Sequence, residues 1–192
     1  MKDGIAESKA ATVRQVLRSE TRESHDRVDR SLGSLDLRMP DDYATFLAMQ
    51  YAARAPIEAW CAVHAPYEFR PPLQTPLLNT DLQSLGYEGS TQDELSLVAP
   101  GEGWLGIAWA IAGSSMGNRM MLKRLEKNGN NSPVNFLADP AMAEYFGRIR
   151  PWIDRPRFDE PALNAMLVAA EATFAIFAHV SASVDRPAEY AA

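Results

Sequence analysis

The chain of 192 residues has one cysteine, three histidines and no excess of positive charge, and each shortage removes a class of function. The lone Cys61 excludes an internal disulfide and fits a reducing compartment. A net charge of -6 argues against the concentrated basic face that phosphate backbones require, so nucleic acid is not an expected partner. No stretch approaches the roughly 20 uninterrupted apolar residues of a membrane span. The opening residues MKDGIAESKA hold no apolar core of a signal peptide, and the expected location is the cytoplasm. Strand signals are missing as well: alternating β-branched runs do not occur, and helical spacing recurs instead.

What is present is ordinary for a globular protein, with 46% apolar and 23% charged residues. This length supports one sizeable core, so the expectation is a single all-α domain over residues 1–192, a helical bundle with its core at about 10–183 and frayed tails. A first helix is expected from about Ser8 to Leu32, closed by Gly33. A second begins at the acidic PDDY segment and is expected to bend at Pro56. TPLLNTDLQSLG offers Thr75 as cap, Pro76 in the first turn and Gly86 as stop. A long helix is expected from Trp104 to Lys127. Two more open on Asp139 before Pro140 and on Asp159 or Glu160 before Pro161.

Residues 113 to 117, GSSMG, fit the G-x-S-x-G elbow that presents a hydrolase serine, here Ser115. That elbow needs a buried strand before it, and residues 104 to 112 have helical spacing, so the hydrolase reading is rejected. The glycines then need another explanation. In a helix interior each costs about 0.5–1 kcal/mol relative to alanine. Gly113 and Gly117, four apart, strip one side of the helix of side chains, which permits either a close helix crossing, a flat ligand or a kink.

On the first helix, His25 falls on the same seam as Leu17 and Val28. Arg18 lies about 20° around the axis from it and Arg22 about 60°. Asp29, four residues on, is placed as a polar neighbour of the imidazole. An imidazole flanked by cations suits a planar, anionic, metal-containing ligand, although a lone histidine is more often a hydrogen-bonded core residue.

With these features the chain resembles the heme oxygenase family, in particular bacterial members that make biliverdin, often for phytochromes. LRSETRESHDRVD (17–29) is similar to the family's proximal helix with its T-x-x-x-H core. GSSMGNRMMLKRL (113–125) is similar to its glycine-rich distal helix, and LLNTDLQSLG (77–86) and ATFAIFAHV (172–180) extend the likeness to roughly residues 13–182. The resemblance implies iron protoporphyrin IX as both cofactor and substrate, held in a slot between the first helix and a glycine-kinked distal helix. It implies His25 as the iron ligand, Asp29 as the carboxylate beside it, and Arg18, Arg22 and Arg150 as partners of the propionates. Gly113, Gly117 and Asn118 would stand nearest the chemistry, Ser114 and Met116 beside them, and Phe174 and Phe177 would wall the pocket. The implied partners are dioxygen, a ferredoxin or reductase as electron donor, since no nucleotide-binding glycine fingerprint is present, and a phytochrome that uses the biliverdin. Asn118 stands where the family commonly has a second glycine, and Gly113 where animal-type members have an aspartate. That departure keeps open a second reading, a catalytically silent protein that binds or senses heme or another tetrapyrrole.

Other candidates are weaker. Cys61 and His64, three apart, do not make a closed metal site by themselves. His179 stands near a helix C-terminus, Trp104 and Trp109 read as core, and Arg148, Arg155 and Arg157 read as solvated charges.

Overall fold

The computed structural model describes residues 11–91, 95–128, 131–156 and 159–183. Among them all regular structure is helical: α1 (Val13–Glu20), α2 (Arg22–Leu32), α3 (Pro40–His64), α4 (Thr75–Ser84), α5 (Trp104–Gly113), α6 (Ser115–Lys127), α7 (Asn135–Ala138), α8 (Ala141–Ile153) and α9 (Glu160–Ser183), with short 3-10 turns at Tyr67–Phe69 and Gly101–Gly103.

α9 and α5 form the centre, and their crossing is made by glycine. A Cβ built on Gly106 would run into the carbonyl of Met166, and one on Gly103 would sit 2.6 Å from the Ala165 carbonyl oxygen. Neither position has room for a side chain, so the two backbones meet directly. α2 and α3 lie against α9, and α8 lies against α5. α9 is long and apolar enough to cross a membrane by length and composition alone. Its buried Met166, Ala169, Ala170, Thr173 and Phe174 instead face the other helices, which is the position of a core helix. At one end Tyr43, Phe46, Leu47, Leu78, Leu82, Leu125, Phe136 and Leu137 close a separate cluster between α3, α4, α6 and α7.

Several boundaries differ from the expected ones, each for a physical reason. The expected first helix is two. Thr21 is fully buried and turns its Oγ1 back to the Leu17 carbonyl at 2.8 Å. The backbone leaves helical geometry at this residue, at φ -95° and ψ 8°, so α1 ends there and α2 starts at Arg22. Ser8 lies outside the described residues, and α1 opens instead on a reciprocal cap between Thr12 and Gln15. The expected helix from Trp104 to Lys127 is likewise two, broken at Ser114 between the glycines. α3 continues as one helix through Pro56.

Thr75 is not a cap but the first helical residue of α4. The cap comes from α3, where Glu58 accepts from the Gln74 N–H at 2.7 Å, the Thr75 N–H at 3.2 Å and the Thr75 hydroxyl at 2.6 Å. Gly86 stops the helix as expected, at φ 85°. Asp159 rather than Glu160 caps α9, accepting from the Ala162 N–H at 2.9 Å.

α7 was not legible at all. Its N-terminus is held by Asp81 of α4, whose carboxylate accepts from the Asn135 N–H at 3.0 Å, the Asn135 side-chain amide at 2.6 Å and the Phe136 N–H at 2.9 Å. Asp81 is fully buried. Asp81→Ala should therefore cost about 3 kcal/mol, since charged hydrogen bonds are lost and buried donors are stranded. A urea midpoint equal to that of the unmodified chain would show that this contact holds nothing together.

Candidate functional site

The site is built on α2, α9 and the α5–α6 junction. The bend at Thr21 starts α2 afresh, and the His25 N–H meets the Thr21 carbonyl at 3.0 Å. α2 is seated on α9 by hydrogen bonds from the Ser24 hydroxyl to the Glu171 carboxylate at 2.6 Å and from the Ser181 hydroxyl to that of Ser31 at 3.2 Å, and its Val28 is buried. His25 is thereby set beside Phe174, edge to face, with ring centroids 5.8 Å apart and planes at 73°. Phe174 in turn meets Trp109 of α5 edge to face at 6.2 Å. Trp109 precedes Gly113 by one helical turn on the same side of α5, about 40° around the axis. An aromatic path thus links the imidazole to the helix that carries the glycines.

The imidazole is only half covered, its side chain being 54% exposed. Its Nδ1 lies 3.3 Å from the Asp29 carboxylate and 3.9 Å from that of Asp26. Arg22 is exposed one turn before it on α2 and approaches Asp26 only at 3.8 Å, while Arg18 is exposed on α1, seven residues before it and beyond the break at Thr21.

Across the bundle, a Cβ built on Gly113 or on Gly117 meets no atom within 4 Å. The close crossing of α5 on α9 belongs to Gly103 and Gly106, so helix packing does not account for Gly113 and Gly117. Their side of the helix faces open space. Beside them Met116 is 75% exposed and Met120 59%. Ser114, at the break, donates to the Ile111 carbonyl at 2.7 Å and accepts from Arg54 at 2.9 Å. Asn118 is half-buried, and its N–H bonds the Ser114 carbonyl at 3.0 Å.

No protein-family model matches this chain, and no curated protein sequence matches it significantly. A solved structure does. The crystal structure of the NO- and CO-bound heme oxygenase from Neisseria meningitidis aligns with a TM-score of 0.74 over 94% of this chain and 98% of its own, at 19% sequence identity. This chain has the heme oxygenase fold. At that identity the likeness establishes architecture, and the chemistry has to be argued from the side chains.

Within the heme oxygenase fold the other singled-out residues separate. Phe174 stands with His25, whereas Phe177 is half-buried against the core cluster that includes Ile57, Trp60, Leu97 and Ile107. Arg150 pairs with Asp154 at 3.1 Å, and the same carboxylate takes Arg14 at 2.7 Å, so both arginines belong to the seam of α1 and α8. Arg148 and Arg155 lie over the rings of Tyr145 and Trp152, and Arg157 is outside the described residues. Cys61 is buried, its thiol pushed up to about 12 by burial and then by the charge of Glu58, while His64 is exposed and leans on Trp60. Among the described residues no three His, Cys, Asp or Glu side chains gather to hold a metal ion.

Trp109, which touches Phe174, was read from the sequence as core, and Arg54, which bonds Ser114, was not singled out. Trp109 had a signal, its position one turn before Gly113. Arg54 had none, because arginine is ordinarily a surface residue.

Proposed function

We propose that this chain is a heme oxygenase, which binds iron protoporphyrin IX between α2 and the α5–α6 junction and cleaves it with dioxygen to biliverdin, carbon monoxide and ferrous iron. The observation that carries the reading is the open space against Gly113 of α5 and Gly117 of α6, with α5 joined through Trp109 and Phe174 to a half-exposed His25. A flat aromatic ligand needs a face free of side chains and an axial base, and these residues fit both needs. The carboxylate 3.3 Å from Nδ1 favours the proton on that nitrogen and leaves Nε2 as the ligand. Arg18 near the end of α1 and Arg22 at the start of α2 are both exposed and would meet propionates through charge-assisted hydrogen bonds.

Bound heme supplies an iron that takes up dioxygen and a porphyrin edge that is oxidised. The chain's own residues do the rest. His25 would hold the iron through Nε2, with Asp29 orienting the ring from Nδ1. The side-chain-poor turn at Gly113 and Gly117 lets the α5–α6 backbone approach the opposite face and confines what binds there. Phe174 and Trp109 keep water from the proximal side. Electrons come from a separate ferredoxin or reductase, and the biliverdin is suited to a phytochrome. The cytoplasm is the proposed setting.

Hemin added to the purified chain, followed by ascorbate or a reductase in air, tests this reading. Replacement of the Soret band by biliverdin absorption is expected. A heme spectrum that persists unchanged would favour a silent binding protein, the outcome that Asn118 in the distal segment leaves open. Asp29→Asn is expected to lower hemin affinity by about 10–100-fold, the usual cost of losing the partner that orients a ligating histidine. Equal titration curves for the two chains would remove Asp29 from the site.

A further inference from the structure

The α5–α6 junction is held from behind by a group that the proposed reaction does not use. Arg54 of α3 is 2% exposed and has no ion-pair partner among the described residues. The acid one turn along its own helix, Glu58, is committed to the N-terminus of α4. The guanidinium donates from Nη2 to the Ser114 hydroxyl at 2.9 Å and from Nε to the Gln50 side chain at 3.3 Å, and it lies 5.2 Å from the Phe136 ring centre. Burial brings its pKa down to about 10, partly countered by Glu58. A buried cation without a counter-ion is expensive, and the bonds it makes in that low-dielectric setting are strong and directional.

Ser114 relays that bond. Its oxygen accepts from Arg54 while its hydroxyl hydrogen goes to the Ile111 carbonyl at 2.7 Å, the last turn of α5 before the break. One guanidinium thus ties α3 and α7 to the residue at which the distal helix changes direction. Gly113 and Gly117 flank that residue and face open space.

We propose that Arg54 is a positioning residue: through Ser114 it fixes the break between α5 and α6, and so sets how the Gly113 and Gly117 face is held against the ligand slot. The inference rests on the heme reading above for the identity of the ligand. The geometry of the junction does not depend on that reading.

The test uses Arg54→Met, Ser114→Ala and Ser114→Thr, each compared with the unmodified chain. Without hemin, amide hydrogen exchange across residues 111–118 should accelerate at least about tenfold in Arg54→Met and Ser114→Ala, with α1 and α2 unchanged, the effect of losing a hydrogen bond to a charged group. With hemin, both variants should shift the ferric Soret band or weaken binding about tenfold while retaining histidine ligation. Ser114→Thr, which keeps the hydroxyl, should restore both readouts. Should Arg54→Met fail to fold, the two Ser114 variants decide the matter alone. Unchanged exchange at 111–118 in Ser114→Ala, or a Ser114→Thr chain that behaves like Ser114→Ala, overturns the inference and leaves the heme reading intact. An unmodified chain that takes up no hemin overturns the heme reading and the slot-positioning role with it.

Discussion

His25→Ala should abolish the histidine-type Soret spectrum and all biliverdin formation, and free imidazole added to the variant should restore the spectrum. The expected fall in hemin affinity is about 100-fold or more, beyond the 10–100-fold cost of losing only a ligand's supporting partner. The reasoning is local. His25 is 54% exposed, its Nδ1 is turned to Asp29, and its ring rests on Phe174, so removing it leaves a gap at the surface and not a collapsed core. The variant should therefore melt within about 1 kcal/mol of the unmodified chain, as surface substitutions usually do. Intact folding with lost ligation separates a ligand from a structural histidine. His64, exposed and leaning on Trp60, serves as the control: His64→Ala should leave hemin binding unchanged.

Gly106→Ala should lower stability as much as any substitution at a helix crossing here. A methyl group there meets the backbone carbonyl of Met166, and backbone cannot rotate out of the way. α5 would have to lift from α9, and with it the contact between Trp109 and Phe174. Overpacking of a well-filled site costs about 1–3 kcal/mol and occasionally more, and for a chain of this size each kcal/mol lowers Tm by roughly 2–4 °C. A loss near 10 °C is expected in a calorimetric scan. A Tm within 2 °C of the unmodified chain, by the same conversion, would mean that the crossing relaxes easily and that Gly106 is not what holds α5 close.

The longer helices could be read from periodicity because they bury one face in the core, and the spacing of Val13 and Leu17 or of Met166, Ala170 and Phe174 records that directly. The breaks could not. Thr21 and Ser114 stand at the breaks, and nothing in the periodicity marks them: hydroxyls at Thr45 and Thr173 turn back to the carbonyl four residues earlier in the same way as Thr21, inside unbroken helices. The caps on α4 and α7 come from Glu58 and Asp81, on α3 and α4 respectively, and pairings at such separations in sequence leave no local trace. Glycine shows the same limit. Gly106 and Gly113 occur seven residues apart in one helix, one sealed against a carbonyl and the other open, and only the packed structure tells them apart. For the site, His25 and Asp29 were legible from their spacing of four, and Phe174 from its place on the last apolar helix. Trp109 was read as core, and it is the ring that connects the two halves of the site.

The most direct test of the slot is a hemin titration of the Gly113→Ala, Gly117→Ala chain beside its thermal midpoint. Both positions are helical with open space beyond them, so alanine should stabilise the ligand-free protein by about 0.5–1 kcal/mol at each. The same methyl groups intrude on a ligand pressed against that face and should weaken hemin binding about tenfold. A raised midpoint together with weakened hemin binding is expected. A raised midpoint with unchanged hemin affinity would contradict it, because the porphyrin would then lie elsewhere than against Gly113 and Gly117.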